Sequence, residues 1–428
     1  MARYKTFTTV GDFGPWVKRL ILELPSPLWA NEVDADAFNV YVERKDPVTG
    51  QVVSAKEHGA DVRALPSRGF VDVRRAYVSD AQGAPLHEGR YVTLVLPEER
   101  LTKRIDGGIT QGHLRQSHFR VTQLRTFVPP VAQEPPVVGL VWDEDAGDIC
   151  PQLEGWDLEG EGTYAGVTMR YASFSPVEGD TGKLPLLLWL HGAGEGDEPY
   201  RTVTGNKVVA LAEADIQGKL GGAAYVLAPS CPTFWMDSGS GDIEDDNQSI
   251  YSNALRALVD EFVAAHADRI DIRRIYVGGL SNGGFMTCRL IADNPGFFAA
   301  GVPVCAPWND RLATEGERAV LAATPLWFVH ADDDPLVRPQ ETALPTYWHL
   351  RDLGARDLHL TYYDHLEDET GVYRDEDGRP MRYLGHFAWV GVYHDGPTTD
   401  IDGTHVLVDG RPVTLWQWVG AHSLRDGT

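Results

Sequence analysis

The sequence is poor in cysteine, in positive charge and in long apolar runs. Only four of its 428 residues are cysteine, and no two of them have Cys-x-x-Cys spacing, which argues against a disulfide-stapled scaffold or a thiolate zinc site. Cys288 and Cys305 lie in apolar stretches typical of small core residues, whereas a bridge between Cys150 and Cys231 stays open. No stretch approaches the roughly 20 apolar residues of a membrane-spanning helix.

Acidic residues outnumber basic ones by 62 to 38, for a formal net charge of −24. A surface of this sign repels phosphate backbones and anionic lipids, so we expect neither nucleic acid nor a membrane as a partner. A neutral substrate is favoured over a polyanion. The opening residues, MARYKTFTTV, contain no apolar segment of the kind that directs secretion, so a cytoplasmic location is the expectation, with secretion not excluded.

Two domains are expected from the length and from a change of pattern. Short alternating runs at 17–24, 38–43, 70–78, 91–96 and 119–127 predict an all-β, immunoglobulin-like sandwich over residues 1–130. A proline-rich connector, residues 128–136, follows. Residues 137–428 alternate apolar strands with helical spacing, which predicts an α/β domain whose mainly parallel sheet is flanked by helices.

One motif organises the second domain: the Gly-x-Ser-x-Gly around Ser281, between an apolar β-branched run at 275–277 and a helical segment. A serine on a sharp strand-to-helix turn takes a strained backbone, and flanking glycines remove the collisions that side chains would make there. The pattern predicts that Ser281 is a nucleophile.

A serine nucleophile needs a histidine base and an orienting carboxylate, which in this strand-turn-helix context follow in the order acid, then histidine. Three aspartates come after the strand predicted at 325–329, and the spacing from His330 together with the turn at Pro335 favours Asp334 over Asp332 and Asp333. Among the later histidines, His386 is favoured, because a glycine precedes it and aromatic residues follow. His365 and His394 are the alternatives.

An oxyanion hole needs two backbone N–H donors. Asn282, directly after the nucleophile, is expected to supply one, and Ala193, in the glycine-rich loop 191–194, the other. Trp235 and Trp308 follow strands at the edge of the sheet where ligands bind, so both are candidates to line the substrate pocket. Glu195 is expected either to contact substrate or to brace the oxyanion loop.

Together these motifs resemble the prolyl-oligopeptidase-like and polyhydroxybutyrate-depolymerase-like esterases of the α/β-hydrolase superfamily, in the branch with an N-terminal immunoglobulin-like domain. The likeness lies in HGAGEG, APSCP, GLSNGG, HADDDPLV and GHFAW, spread over residues 184–390. The resemblance implies a triad of Ser281, Asp334 and His386, and hydrolysis of small to medium carboxylic esters through an acyl-enzyme without a cofactor. Phe387 stands where that branch is expected to have tryptophan.

Two other functions compete with an esterase: an oligopeptidase, and a catalytically inactive hydrolase fold used for binding. About 130 residues are too few for the β-propeller of an oligopeptidase, and the complete set of catalytic residue types argues against the inactive fold. The acidic loop 242–246 lacks the order of an EF-hand, so we expect no metal. The expected partners are a small or polymeric ester and a second copy of the chain, contacted through the N-terminal domain.

Overall fold

The computed structural model describes residues 2–45, 49–52, 55–56, 64–65, 68–97, 116–130, 134–176, 182–196, 198–371 and 373–425. The chain divides into two compact units, Met1–Glu154 and Gly155–Thr428. Each unit has its own buried apolar core.

The N-terminal unit is built of β-strands. Their bounds are β1 Ala2–Gly11, β2 Gly14–Trp29, β3 Phe38–Lys45, β4 Ala55–Lys56, β5 Ala64–Leu65, β6 Arg68–Val71, β7 Arg75–Ser79, β8 Glu88–Val95, β9 Gln116–Gln123 and β10 Val141–Ile149. Strands β4 and β5 pair with each other, and the remaining strands are hydrogen-bonded in the order β6-β3-β9-β10-β1-β2-β8-β7. Neighbours are antiparallel except β1 and β10, which are parallel.

This sheet separates into two facing layers. Strands β9 and β10 pair at Thr122 and Val121, beyond which they diverge. Tyr4 on β1 then reaches across to β9, where its ring meets that of Phe119 edge to face at 6.1 Å and its hydroxyl accepts a hydrogen bond from the Phe119 N–H at 2.9 Å. Apolar residues of both layers share one core, which is the packing of a β-sandwich.

The boundary between the units lies later than the sequence pattern predicted. Strand β10 follows the proline-rich connector but pairs with β1 and β9, so the chain returns to the N-terminal unit and leaves it after Glu154. The pattern concealed this strand because its nine residues, VWDEDAGDI, include four acidic ones and are mostly exposed.

Some predicted strand ends in this unit were also wrong. Strand β2 continues through Pro25 and Pro27 to Trp29. The prolines are tolerated because the pairing of β2 with β8 shifts register between Glu23 and Leu28, and at such an irregularity no ladder N–H is required. The run at 70–78 is two strands, β6 and β7, and β1 was not predicted.

The C-terminal unit contains both strands and helices. Their bounds are β11 Trp156–Tyr164, β12 Val167–Phe174, β13 Leu184–Leu190, α1 Pro199–Thr204, α2 Ala214–Lys219, β14 Tyr225–Ser230, α3 Ser252–Ala265, β15 Ile270–Leu280, α4 Asn282–Asp293, β16 Ala300–Val304, α5 Glu315–Ala323, β17 Leu326–Ala331, α6 Ala343–Asp352, β18 Leu358–Tyr363, β19 Leu366–Glu367, β20 Arg382–Tyr383, α7 Trp389–Tyr393, β21 Leu407–Val408, β22 Arg411–Pro412 and α8 Leu415–Ala421.

Eight of these strands form a mixed sheet in the order β11-β12-β14-β13-β15-β16-β17-β18. The neighbouring strands from β14 to β18 are parallel. Strand β12 is antiparallel to both of its neighbours, β11 and β14. The parallel strands are apolar on both faces: all seven residues of β13 are buried, as a strand covered by helices on both sides requires.

The carboxyl ends of the parallel strands meet at one edge of this sheet, so the loops that follow β13, β15 and β17 come together there. Ser281 follows β15, Asp334 follows β17, and the glycine-rich loop follows β13. The topology thereby gathers at one edge residues that lie far apart in the chain.

The cysteines carry no cross-link. Cys150, Cys231, Cys288 and Cys305 form no disulfide with one another, and the last three are buried. Along the described segments, no helix has the length and apolar character needed to cross a membrane.

Candidate active site

Ser281 lies in the turn between β15 and α4 with φ 53° and ψ −117°, a backbone conformation that residues other than glycine rarely adopt. Two backbone hydrogen bonds hold it there. The Ser281 N–H donates to the Val304 carbonyl at 2.9 Å, and the Ser281 carbonyl accepts from the Phe285 N–H at 3.0 Å. The strain is therefore compensated by the neighbouring strand and by the first turn of the helix.

Close packing explains the glycines on either side of the serine. A Cβ at Gly283 would lie 2.1 Å from the carbonyl oxygen of Leu190, and a Cβ at Gly279 would lie 2.6 Å from that oxygen and from the carbonyl oxygen of Gly283. Helix α4 can press against the end of β13 only because both positions lack a side chain.

His386 reaches Ser281 from a short 3-10 turn, Gly385–Phe387. Its Nε2 atom lies 2.9 Å from the Ser281 Oγ, and its Nδ1 atom lies 2.8 Å from Oδ2 of Asp334. A Cβ at Gly385 would lie 2.3 Å from Oδ1 of Asp333, so the histidine turn packs directly on the aspartate loop.

Asp334 is buried and accepts several hydrogen bonds. Its Oδ1 accepts from the N–H groups of Leu336 and Val337 at 2.9 and 3.0 Å, and its Oδ2 from His386 and from Nε2 of His330 at 3.1 Å. Burial by itself raises the pKa of Asp334, but the hydrogen bonds from His330 and His386 and the charge of His386 outweigh it, so the pKa lies well below its ordinary value. The carboxylate is thus ionised at neutral pH.

The alternatives weighed for the acid and the base lie elsewhere. Asp332 accepts a hydrogen bond from the Tyr362 hydroxyl at 2.6 Å, and Asp333 pairs with Arg382 at 2.9 Å. His365 lies 3.7 Å from Glu367, and His394 lies 3.3 Å from Nζ of Lys207.

Sequence reasoning did not single out His330 as a functional residue. It is fully buried at the end of β17, and its Nε2 faces two acceptors, Oδ2 of Asp334 and the Val337 carbonyl at 2.9 Å. Nε2 therefore carries a proton and donates it to both. The i, i+4 spacing of the two residues was visible in the sequence, but their contact depends on the turn after β17.

The two expected oxyanion donors lie at the start of α4 and in the loop after β13, which come into contact at Gly283. Asn282 is the first residue of α4, so its N–H has no acceptor within the helix. Ala193 lies in the loop that follows β13, partly exposed. A Cβ at Gly192 would meet Leu280 at 2.7 Å and Glu195 at 2.9 Å, so the loop packs closely against these two side chains only because that position lacks one.

The side chain of Glu195 is 5% exposed and lies beside Gly192 and Gly205. The Glu195 carbonyl accepts a hydrogen bond from the Thr202 hydroxyl at 3.0 Å. Of its two expected roles, bracing the oxyanion loop is the one that these contacts favour.

The two tryptophans do not line an open pocket. Trp235 is 0% and Trp308 is 1% exposed, so neither has surface with which to meet a substrate. Trp235 instead makes hydrogen bonds to Asn282 and His191, and Trp308 packs against Phe285 with 6.0 Å between ring centroids. Their positions after strands β14 and β16 are as expected, but the loops fold the rings inward.

Carboxylates of the acidic loop 242–246 accept hydrogen bonds from backbone N–H groups nearby. Glu244 accepts a hydrogen bond from the Ser238 N–H at 3.1 Å, and Asp246 accepts from the Gln248 N–H at 2.9 Å. Within the described ranges, no group of three or more His, Cys, Asp or Glu residues is arranged to hold a metal ion.

Comparison with known proteins assigns the N-terminal unit. Residues 3–131 match the model of the esterase Ig-like N-terminal domain family. Two curated relatives match parts of the chain. The inferred esterase NocK of Nocardia uniformis subsp. tsuyamanensis is 30% identical over 154 residues, 36% of this chain and 40% of NocK. The oxidized polyvinyl alcohol hydrolase of Pseudomonas sp is 35% identical over 63 residues, 13% of this chain and 17% of that protein. The chain thus spans less than half the length of the curated relatives it matches.

Among solved structures, that of a thermostable esterase superimposes with a TM-score of 0.70 and 21% identity, over 98% of this chain and 99% of the other. At that identity the likeness establishes the fold. Residues 3–131 are therefore similar to the immunoglobulin-like domain of esterases, and the chain over nearly its whole length has the fold of the thermostable esterase.

Proposed function

We propose that this protein is a serine carboxylesterase that hydrolyses small to medium carboxylic esters through an acyl-enzyme on Ser281. One observation carries the proposal: a continuous set of hydrogen-bonding distances from Ser281 Oγ to His386 Nε2 at 2.9 Å and from His386 Nδ1 to Asp334 Oδ2 at 2.8 Å. This is the arrangement in which a base activates a serine and a carboxylate orients the base.

In the acylation step, His386 accepts the Ser281 proton as Oγ attacks the ester carbonyl carbon. The resulting oxyanion accepts hydrogen bonds from the N–H groups of Asn282 and Ala193. Asp334 stays ionised and stabilises the imidazolium. When the intermediate collapses, the bond to the alkoxy oxygen breaks, His386 returns the proton to that oxygen, and the alcohol leaves.

In the deacylation step, His386 takes a proton from water, and the hydroxide oxygen attacks the acyl carbon. The second intermediate collapses with return of the proton to Ser281 Oγ, which releases the carboxylic acid. The names of NocK, an inferred esterase, and of the thermostable esterase support ester hydrolysis. The net charge of −24 favours neutral esters over anionic ones.

The test is labelling by a fluorophosphonate together with turnover of p-nitrophenyl esters of graded acyl length. The wild-type protein should label at Ser281 and hydrolyse the shorter esters. Ser281→Ala should melt like the wild type, fail to label and lose several orders of magnitude of turnover. The exposed Ser240 provides the control: Ser240→Ala should label and turn over normally. Near-normal turnover in folded Ser281→Ala protein would refute the proposal.

The proposal also covers the form of the substrate and the assembly of the chain. The substrate is either a free ester or a polymer carrying esters. The N-terminal unit supplies contacts between copies of the chain through the edge strands of its sheet. Light scattering of the whole chain and of a fragment beginning at Gly155 measures the assembly. Equal numbers of chains per particle in both would refute it.

A further inference from the structure

We propose that Trp235 is a positioning residue that holds the two halves of the oxyanion hole in register. The inference rests on the proposed function, and it gives Trp235 a role other than contact with substrate. It concerns the loop after β14, which contributes neither the nucleophile nor either of the two backbone donors.

Trp235 makes one hydrogen bond to each half. Its backbone N–H donates to Oδ1 of Asn282 at 2.6 Å, and its indole Nε1–H donates to the carbonyl oxygen of His191 at 3.1 Å. Asn282 supplies the first oxyanion donor, and His191 stands two residues before Ala193, which supplies the second. One residue therefore connects the start of α4, through its backbone, to the start of the oxyanion loop, through its side chain.

The surroundings leave this connection little freedom. Trp235 is fully buried, and its ring lies 5.1 Å from the ring of His191 and 5.9 Å from that of Tyr251. The His191 ring is itself held, because its Nε2 accepts from the Cys231 N–H at 2.9 Å and its Nδ1 donates to the Gly192 carbonyl at 2.6 Å. The carbonyl that receives the indole N–H thus belongs to a residue whose ring is held by two hydrogen bonds.

The consequence is kinetic. The oxyanion is absent from the bound substrate and develops only as the tetrahedral intermediate forms, so a change in the spacing of its two donors should lower kcat and leave the KM of the substrate nearly unchanged. A residue lining the substrate pocket would have the opposite signature, a raised KM. The two roles can therefore be separated by the same measurement.

Trp308 provides a matched control. It too is fully buried beside α4, and its indole nitrogen has no hydrogen-bond partner among the described residues. Trp308→Phe removes the same atoms from the core as Trp235→Phe but breaks no hydrogen bond. Any effect of lost ring volume should appear in both variants.

The experiment compares Trp235→Phe and Trp308→Phe in the full chain, with p-nitrophenyl butyrate as substrate and a trifluoromethyl ketone as transition-state analogue. Removing a whole oxyanion donor costs about 100- to 1,000-fold in kcat, so displacing one should cost about tenfold. For Trp235→Phe we expect that loss, a similar loss of affinity for the analogue, and a KM within about twofold of wild type. Trp308→Phe should stay within about twofold of wild type in all three values.

Equal kcat values for the two variants, or a raised KM with kcat retained in Trp235→Phe, would overturn the inference. Fluorophosphonate labelling of Ser281 is measured first in each protein. Absence of labelling in the wild type refutes the esterase itself, whereas normal labelling with unchanged kcat in Trp235→Phe refutes the role of Trp235 alone.

If Trp235→Phe does not fold, Asn282→Ala tests the other end of the connection. This change removes the acceptor Oδ1 but keeps the backbone N–H that serves the oxyanion. A folded Asn282→Ala protein should lose kcat with KM retained, and an unchanged kcat in that protein would equally overturn the inference.

Discussion

The Nε2 atom of His330 lies 3.1 Å from Oδ2 of Asp334, the same oxygen that receives the Nδ1–H of His386. Two histidines thus share one carboxylate oxygen, although only one of them faces Ser281. Because His330 donates and is fully buried, it stabilises the ionised form of Asp334 in a region that water does not reach.

The pH profile should reveal this second histidine. In His330→Leu, Asp334 loses a donor and its pKa rises, so the more basic carboxylate stabilises the protonated imidazole of His386. The acid limb of kcat/KM should then move to higher pH, because part of the free energy of a hydrogen bond to a charged group, about 1.5–3 kcal/mol, is transmitted through Asp334. His330→Gln, which keeps an N–H donor near the position of Nε2, should restore the wild-type limb. Identical limbs in all three proteins would assign His330 to packing alone.

Alanine variants of two histidines close in sequence test the assignment of His386 as the base. His386→Ala should lose at least about a thousandfold in kcat, because Ser281 is then left without a proton acceptor. His394→Ala, which removes the contact with Lys207, should turn over p-nitrophenyl butyrate normally. Steady-state kinetics of the two variants decide the matter, and the reverse pattern would identify His394 as the base.

The turn that holds Ser281 should not tolerate a methyl group at position 283. Gly283→Ala places a Cβ 2.1 Å from the Leu190 carbonyl oxygen, so we expect a loss of about 3 kcal/mol or more in the free energy of unfolding. Gly218→Ala is the control, since that exposed glycine in α2 has open space at its Cβ position. Replacing an exposed helical glycine by alanine should stabilise by about 0.5–1 kcal/mol. Urea unfolding measures both, and similar midpoints for the two variants would contradict the steric explanation.

A histidine outside the site should make stability depend on alkaline pH. His359 on β18 has Asp400 at 3.1 Å on one ring nitrogen and Asp357 at 3.2 Å on the other, and packs against Trp327 and Trp418. Burial lowers the pKa of His359, but the hydrogen bonds and charges of both aspartates outweigh this and raise it to about 9.

Because the folded pKa exceeds the unfolded value of 6.5, this stabilisation is complete below about pH 6.5 and is lost as pH rises through about 9. His359→Gln should therefore cost on the order of 2–3 kcal/mol more at pH 6 than at pH 10. Urea unfolding of both proteins at the two pH values measures the difference. A cost that does not change with pH would show that His359 is uncharged in the folded protein.

The sequence by itself was enough to predict local features that have a stereochemical cause. The two glycines around Ser281 indicated a strained turn, and the structure has that turn at φ 53°. The uniformly apolar run at 184–190 indicated a buried strand, and it is one. The order of Asp334 and His386 along the chain, with the turn residues beside them, also selected the histidine that lies within hydrogen-bonding distance of Ser281 and the aspartate that bonds to that histidine.

The tertiary structure alone decided which side chains these loops bury and which strands pair over long distances. Trp235 and Trp308 both follow strands at the functional edge, but whether a ring faces solvent or core depends on how its loop closes against α4, and no local pattern contains that information. Strand β10 was hidden because pairing with β1 stabilises an acidic, exposed segment through backbone hydrogen bonds, which depend little on side chains. His330 became visible only once the turn after β17 brought its ring to Asp334.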